Sequence, residues 1–167
     1  MKKLTKKSKV INLGCRLNFF ESEIIENILK KEKDVSKVVI NTCAVTNNAV
    51  QKSIYAVKKA LKDFPNSEVI VTGCASQVEK NRFENLGHIS KIVDNKLKTN
   101  PNSYISEDLV HEQTFNFPSI DYLSTQRTRA MLQIQQGCNH RCTFCIIPYG
   151  RGAVSYTHLT LPTIAEV

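Results

Sequence analysis

A chain of 167 residues, 41% hydrophobic and 23% charged, has room for one ordinary domain plus part of another and enough apolar side chains for a real core. Its net charge of +8 favours a polyanionic partner such as nucleic acid, although solubility alone accounts for much of such a charge. Six cysteines without secretory features argue against a disulfide-stapled secreted scaffold and for metal or redox use in a reducing compartment. No stretch approaches the roughly 18 apolar residues that span a bilayer. The apolar run after the basic N-terminus, Val10 to Leu13, is too short for a signal peptide, so no membrane and a cytoplasmic location are expected.

Three runs rich in β-branched residues end in cysteine: Val10 to Cys15, Val38 to Cys43 and Val69 to Cys74. The cysteines are 28 and 31 residues apart (43 minus 15, 74 minus 43), close to the ~30 residues of a βαβ unit. Between the runs lie helical patterns. Asn18 is placed to cap the first, with Glu21 three residues on completing a capping-box-like pair and Ile24, Ile25, Ile28 and Leu29 forming its apolar stripe. The second spans about Asn48 to Asp63, with Val50, Ile54, Val57 and Leu61 inward and Lys52, Lys58, Lys59 and Lys62 on the wet side. A weaker helix over Gln77 to Leu86 and a fourth strand over Ile89 to Val93 follow. The expected fold class is α/β: an open parallel sheet with flanking helices and right-handed crossovers, occupying residues 1–98.

Parallel strands put Cys15, Cys43 and Cys74 at one carboxyl edge, where open α/β sheets bind ligands. One cysteine there is more often a small buried filler, but three at equivalent positions suit a three-thiolate iron–sulfur site. Gly14 and Gly73 would let the backbone come close to a bulky cluster.

Residues 99–128, interrupted by Pro101, Asn102, Ser103, Pro118 and Ser119, read as a linker with at most short elements. Arg129 to Gln135 alternates as a strand and leads into Cys138-x3-Cys142-x2-Cys145, with Phe144 just before the third cysteine. Three soft ligands in so tight a loop leave one position of a [4Fe–4S] cube open. A zinc loop completed by His140, or three inert thiols, are the alternatives.

This loop resembles the signature of the radical S-adenosylmethionine superfamily. With both cysteine sets in this order, the sequence is similar to the methylthiotransferases of that superfamily. The matching stretches are Leu13 to Asn18, Asn41 to Asn47, Thr72 to Ala75 and Gln136 to Pro148. The resemblance implies an auxiliary [4Fe–4S] cluster on Cys15, Cys43 and Cys74, and a radical cluster on Cys138, Cys142 and Cys145. Residues 129–152 would then begin a radical SAM (β/α) barrel. It further implies S-adenosyl-L-methionine as cofactor, with Phe144 near its adenine, and an electron donor such as flavodoxin or ferredoxin. In such enzymes one S-adenosylmethionine gives a radical and another a methyl group, so that a methylthio group is added at an unreactive C–H bond. Thr42 to Asn47 resembles the subgroup acting on threonylcarbamoyladenosine beside the tRNA anticodon. The implied partner is therefore the tRNA anticodon loop, whose unstacked bases a protein pocket can receive. The isopentenyladenosine and ribosomal-protein subgroups are the alternatives within the family.

The resemblance ends at Gly152. Residues 153–167 neither repeat nor complete anything upstream, and Ser155 to Thr163 looks like a translated sequencing adapter. The chain is thus expected to be an amino-terminal fragment, inactive by itself, whose two cysteine sets bind clusters independently. A two-cluster electron carrier is the rival from another class, although carriers usually close their clusters with four protein ligands. A zinc-stabilised nucleic-acid-binding module is the other.

Overall fold

The computed structural model describes residues 8–31, 35–105, 131 and 133–156. Its β-branched runs form four parallel strands, β1 (Lys9–Asn12), β2 (Lys37–Thr42), β3 (Glu68–Gly73) and β4 (Lys91–Ile92), adjacent in that order. The helices between them are α1 (Arg16–Lys31), α2 (Asn47–Asp63), α3 (Cys74–Val78) and α4 (Lys80–Glu84). The single helix expected over Gln77 to Leu86 is therefore two. Glu79, at φ −116° and ψ 43°, breaks it, and Phe83 enters the core beside Ala75.

Alternation along the strands builds two apolar layers. Val38, Ile40, Val69 and Val71 pack against Val50, Ile54 and Val57 of α2 and against Phe83. On the opposite face Val39 and Ile70 meet Phe20, Ile24, Ile25, Ile28 and Leu29 of α1. Every residue of β2 is buried, as a strand covered on both faces requires. Sequential strand order with α1 and α2 on opposite faces gives the first two crossovers opposite hands. The expectation of right-handed crossovers is met by one of the two.

The packed region continues past residue 98. Helix α5 (Asn102–Ile105) lies within the expected linker, and Tyr104 is buried in the α1 layer with its hydroxyl donating to the Lys98 carbonyl at 2.6 Å. Burial, with Glu21 nearby, holds the Tyr104 phenol well above its ordinary value of 10.0. The folded state therefore binds more protons than the unfolded state above pH 10. Tyr104 contributes stability that is complete below that pH and lost as pH rises beyond it. An absorbance titration should show a phenolate that appears only with unfolding, and Tyr104→Phe should reduce that late component by one tyrosine. Residues 106–128 of the expected linker lie outside the described residues.

After residue 131 the described elements are β5 (Gln135–Gln136), α6 (Ile147–Arg151) and β6 (Ser155–Tyr156), with β5 and β6 antiparallel. Of the strand expected over Arg129 to Gln135, only Gln135 is strand among the described residues. Gln133 and Ile134 are not strand, and 129, 130 and 132 lie outside the described residues. The pairing partner sets the length, because Gln135 faces Tyr156 and Gln136 faces Ser155. Residues 153–156 thus complete an upstream element, contrary to expectation, and 157–167 lie outside the described residues. Among the described residues no helix is long and apolar enough to cross a membrane.

Candidate metal centre

Cys43 and Cys74 follow directly on β2 and β3, and Cys15 stands three residues past β1. All three line one cavity of about 390 Å³ at the carboxyl edge of the sheet, walled also by Leu17, Asn18, Val45 and Arg151. Cys43 and Cys74 are buried and Cys15 is exposed. None of them is in a disulfide.

Side-chain hydrogen bonds lace the strand ends. Thr42 Oγ1 donates to the Thr72 carbonyl at 2.7 Å and accepts from Ser76 N–H at 3.1 Å, tying β2 to β3 and α3. Asn18 Nδ2 donates to the Thr42 carbonyl at 2.8 Å, and Asn41 Nδ2 donates to the Asn18 carbonyl at 2.9 Å, tying α1 to β2. Ser53 Oγ accepts from Cys43 N–H at 3.3 Å, and Asn95 Nδ2 donates to Cys74 Sγ at 3.4 Å.

The expected capping box is absent. α1 begins at Arg16, with Phe19 N–H donating to the Cys15 carbonyl at 2.9 Å, so Asn18 and Glu21 lie inside the helix and use their side chains for distant partners. The glycines also serve a different end from that expected. A Cβ on Gly73, whose φ is +103°, would lie 2.3 Å from the Thr42 carbonyl oxygen, and one on Gly14 would lie 2.2 Å from Asn18 Nδ2. Both are fixed by neighbouring protein atoms.

Glu21 is fully buried between two cations. Lys98 Nζ lies 2.5 Å from Glu21 Oε2, and Arg151 reaches both carboxylate oxygens at 2.8 and 3.1 Å while donating to Asn18 Oδ1 at 2.5 Å. Burial lowers the Lys98 ammonium below its ordinary 10.5, opposed by the charges of Glu21 and Cys74. Burial would lower Arg151 too, but its bonds to Glu21 and the fields of Glu21, Cys74 and Cys15 raise it, so it stays charged. At their formal charges Lys98, Arg151 and Glu21 sum to one positive charge beside the cysteines. Sequence reasoning missed this cluster. Its signal was Glu21 itself, a carboxylate on the apolar stripe, three, four and seven residues before Ile24, Ile25 and Ile28.

The second cysteine set lies in the turn between β5 and α6, closed by Cys138 N–H donating to the Gly152 carbonyl at 3.1 Å and Cys145 N–H to the Cys142 carbonyl at 3.0 Å. Cys142 is exposed, Cys138 and Cys145 are half-buried, and Phe144 is 93% exposed. These cysteines do not line the cavity, but their flanks do: Gln135, Gln136 and Gly137 on one side, Ile146, Ile147 and Arg151 on the other. The two sets are thus joined through one wall.

Among the described residues no group of three or more cysteine, histidine, aspartate or glutamate side chains is drawn close enough to hold one metal ion. A cube with iron at its corners spreads its ligands wider than a single ion does. Among the described residues the cavity wall offers three thiols and no further cysteine, histidine or carboxylate, and it faces an excess of formal positive charge. That donor set fits an anionic, three-thiolate iron–sulfur cluster with one open position.

Comparison with known families matches residues 7–94 to the "Uncharacterized protein family UPF0004". Among curated proteins, the chain is 35% identical to "Threonylcarbamoyladenosine tRNA methylthiotransferase MtaB" of Rickettsia prowazekii (strain Madrid E), over 87% of this chain and 36% of the relative. It is 34% identical to the MtaB protein of Bacillus subtilis (strain 168), over 84% and 35% respectively. It is 36% identical to "Ribosomal protein uS12 methylthiotransferase RimO" of Shigella flexneri, over 91% and 37%. The chain spans little more than a third of the length of these curated relatives. With the parallel sheet in place and more than half of its residues matched, the chain belongs to the family UPF0004, the amino-terminal domain of the methylthiotransferases.

Proposed function

We propose that this chain serves a radical S-adenosylmethionine methylthiotransferase that modifies threonylcarbamoyladenosine in the tRNA anticodon loop. The observation that carries the reading is the opening of Cys15, Cys43 and Cys74 into one cavity walled by the flanks of a second cysteine loop. Cys15, Cys43 and Cys74 would hold one [4Fe–4S] cluster and Cys138, Cys142 and Cys145 the other. Such clusters, with S-adenosylmethionine and a flavodoxin- or ferredoxin-type donor, supply one-electron chemistry when bound. This chain's own part is to present the thiols, keep Cys43 and Cys74 away from water, and set positive charge beside them. Phe144, beside Cys145 and open to solvent, is available to pack on a nucleobase of the cofactor. The setting is the cytoplasm.

The tRNA reading is favoured over the ribosomal-protein one by the exposed face of α2. Lys52, Lys58, Lys59 and Lys62 lie there with Tyr55, 68% exposed, among them. Lysines that track phosphates around an aromatic available for stacking suit RNA. Tyr55 was not singled out from the sequence, although its place three residues from both Lys52 and Lys58 marks it.

Filter binding with the reconstituted chain should show tRNA retained with an affinity that falls steeply as salt rises. Lys52→Glu, Lys58→Glu and Lys59→Glu together should weaken it at least roughly ten-fold at low salt. Retention of ribosomal protein uS12 in place of tRNA would give the ribosomal-protein reading instead.

A further inference from the structure

Arg151 stands six residues beyond Cys145, at the end of α6, yet its guanidinium is buried in the first domain against Glu21 and Asn18, 130 and 133 residues away. α6 follows it there. Gly150 packs so closely on α3 that a Cβ would lie 3.1 Å from Cys74 Cβ, and Asn95 Nδ2 donates to both the Gly150 carbonyl and Cys74 Sγ. A bidentate guanidinium–carboxylate pair has a fixed geometry, so it sets where α6 lies as well as holding it. The charge is a separate matter. Glu21 is already met by Lys98, so the pair does not need Arg151 for neutrality, and its addition leaves the cluster one positive charge in excess.

We propose that Arg151 is a positioning residue with two linked effects: it clamps the second cysteine loop onto the first domain, and with Lys98 it places a counter-charge beside the first cysteine set that stabilises bound anionic iron–sulfur species. This rests on the iron–sulfur reading of the cysteines given above. A positive charge held near a cluster in a poorly screened interior favours the reduced form, which carries one more negative charge. The clamp also accounts for the cavity wall, since Ile146, Ile147 and Arg151 face Cys15, Cys43 and Cys74 only while α6 is docked.

Two substitutions separate the effects. Arg151→Met leaves Glu21 paired with Lys98, and Lys98→Met leaves it paired with Arg151. Each removes one positive charge without leaving the carboxylate alone, and only the first removes the clamp. Two measurements on the full chain read them out. In the metal-free, reduced chain, alkylation of Cys74 followed by mass spectrometry should accelerate roughly ten-fold or more in Arg151→Met, the opening expected from losing charge-assisted hydrogen bonds, and change little in Lys98→Met. In a chain also carrying Cys138→Ala, Cys142→Ala and Cys145→Ala, reconstituted with iron and sulfide, the midpoint potential of the remaining cluster should shift negative in both variants. Unchanged Cys74 alkylation in Arg151→Met overturns the clamp, and an unshifted potential in both variants overturns the counter-charge. A parent chain that takes up no iron and sulfide instead overturns the iron–sulfur reading and the counter-charge with it, while the alkylation result still decides the clamp.

Discussion

Glu21→Leu is expected to destabilise the fold by about 3–5 kcal/mol, the cost of leaving buried charge without its partner. Against a whole-domain stability of about 5–15 kcal/mol, that is a large fraction of the total. The reason is the asymmetry of the cluster. Removing either cation leaves a neutral pair, but removing the carboxylate leaves Lys98 and Arg151 facing each other, both buried. Leucine fits the apolar stripe of α1, so lost packing contributes little and the penalty is electrostatic. The sign of its pH dependence follows. The folded-state Lys98 already lies below 10.5 because of burial, and loss of Glu21 lowers it further. Between that lowered value and 10.5 the unfolded chain binds more protons, so the stability of Glu21→Leu should rise with pH over that window. Urea unfolding at neutral pH checks the magnitude. A loss below about 1 kcal/mol would mean that the cluster is far better hydrated than its burial indicates.

The frame was legible because its signals are local. Runs such as Val38 to Thr42 and Val69 to Thr72 form strands almost wherever they are placed in a covered sheet, and Val50, Ile54 and Val57 mark the inner side of α2 by spacing alone. The cysteines after those strands fall at one edge by parallel topology, and the structure brings the first three to one cavity. What was not legible depends on partners far along the chain. Asn18 and Glu21 have the spacing of a capping pair, yet both turn inward because Thr42, Lys98 and Arg151 are there to meet them. Gly73 was assigned to a cofactor when the Thr42 backbone already requires it. Gln135, at the end of a run that alternates like a strand, and Gln136 pair with Ser155 and Tyr156, a segment that was not read as strand. In each case a long-range contact decided a use that the local pattern did not carry.

Cys43→Ala is expected to have the largest effect on cofactor content. Cys43 is buried at the end of β2, an inner strand, its N–H held by Ser53, so no other described thiol is placed to substitute for it. A site reduced to two thiols with one of them, Cys15, exposed should lose its cluster altogether, while the loop of Cys138, Cys142 and Cys145 keeps its own ligands. Alanine at that position removes a small buried side chain, so the fold should lose no more than about 1–2 kcal/mol and the variant remains measurable.

Iron and acid-labile sulfide per chain, determined after anaerobic reconstitution of the parent and of Cys43→Ala, test the account most directly. Two cube-type clusters require about eight iron and eight sulfide in the parent, falling to about four of each in the variant. Zinc without sulfide in the parent, or an iron and sulfide content that Cys43→Ala leaves unchanged, would contradict it.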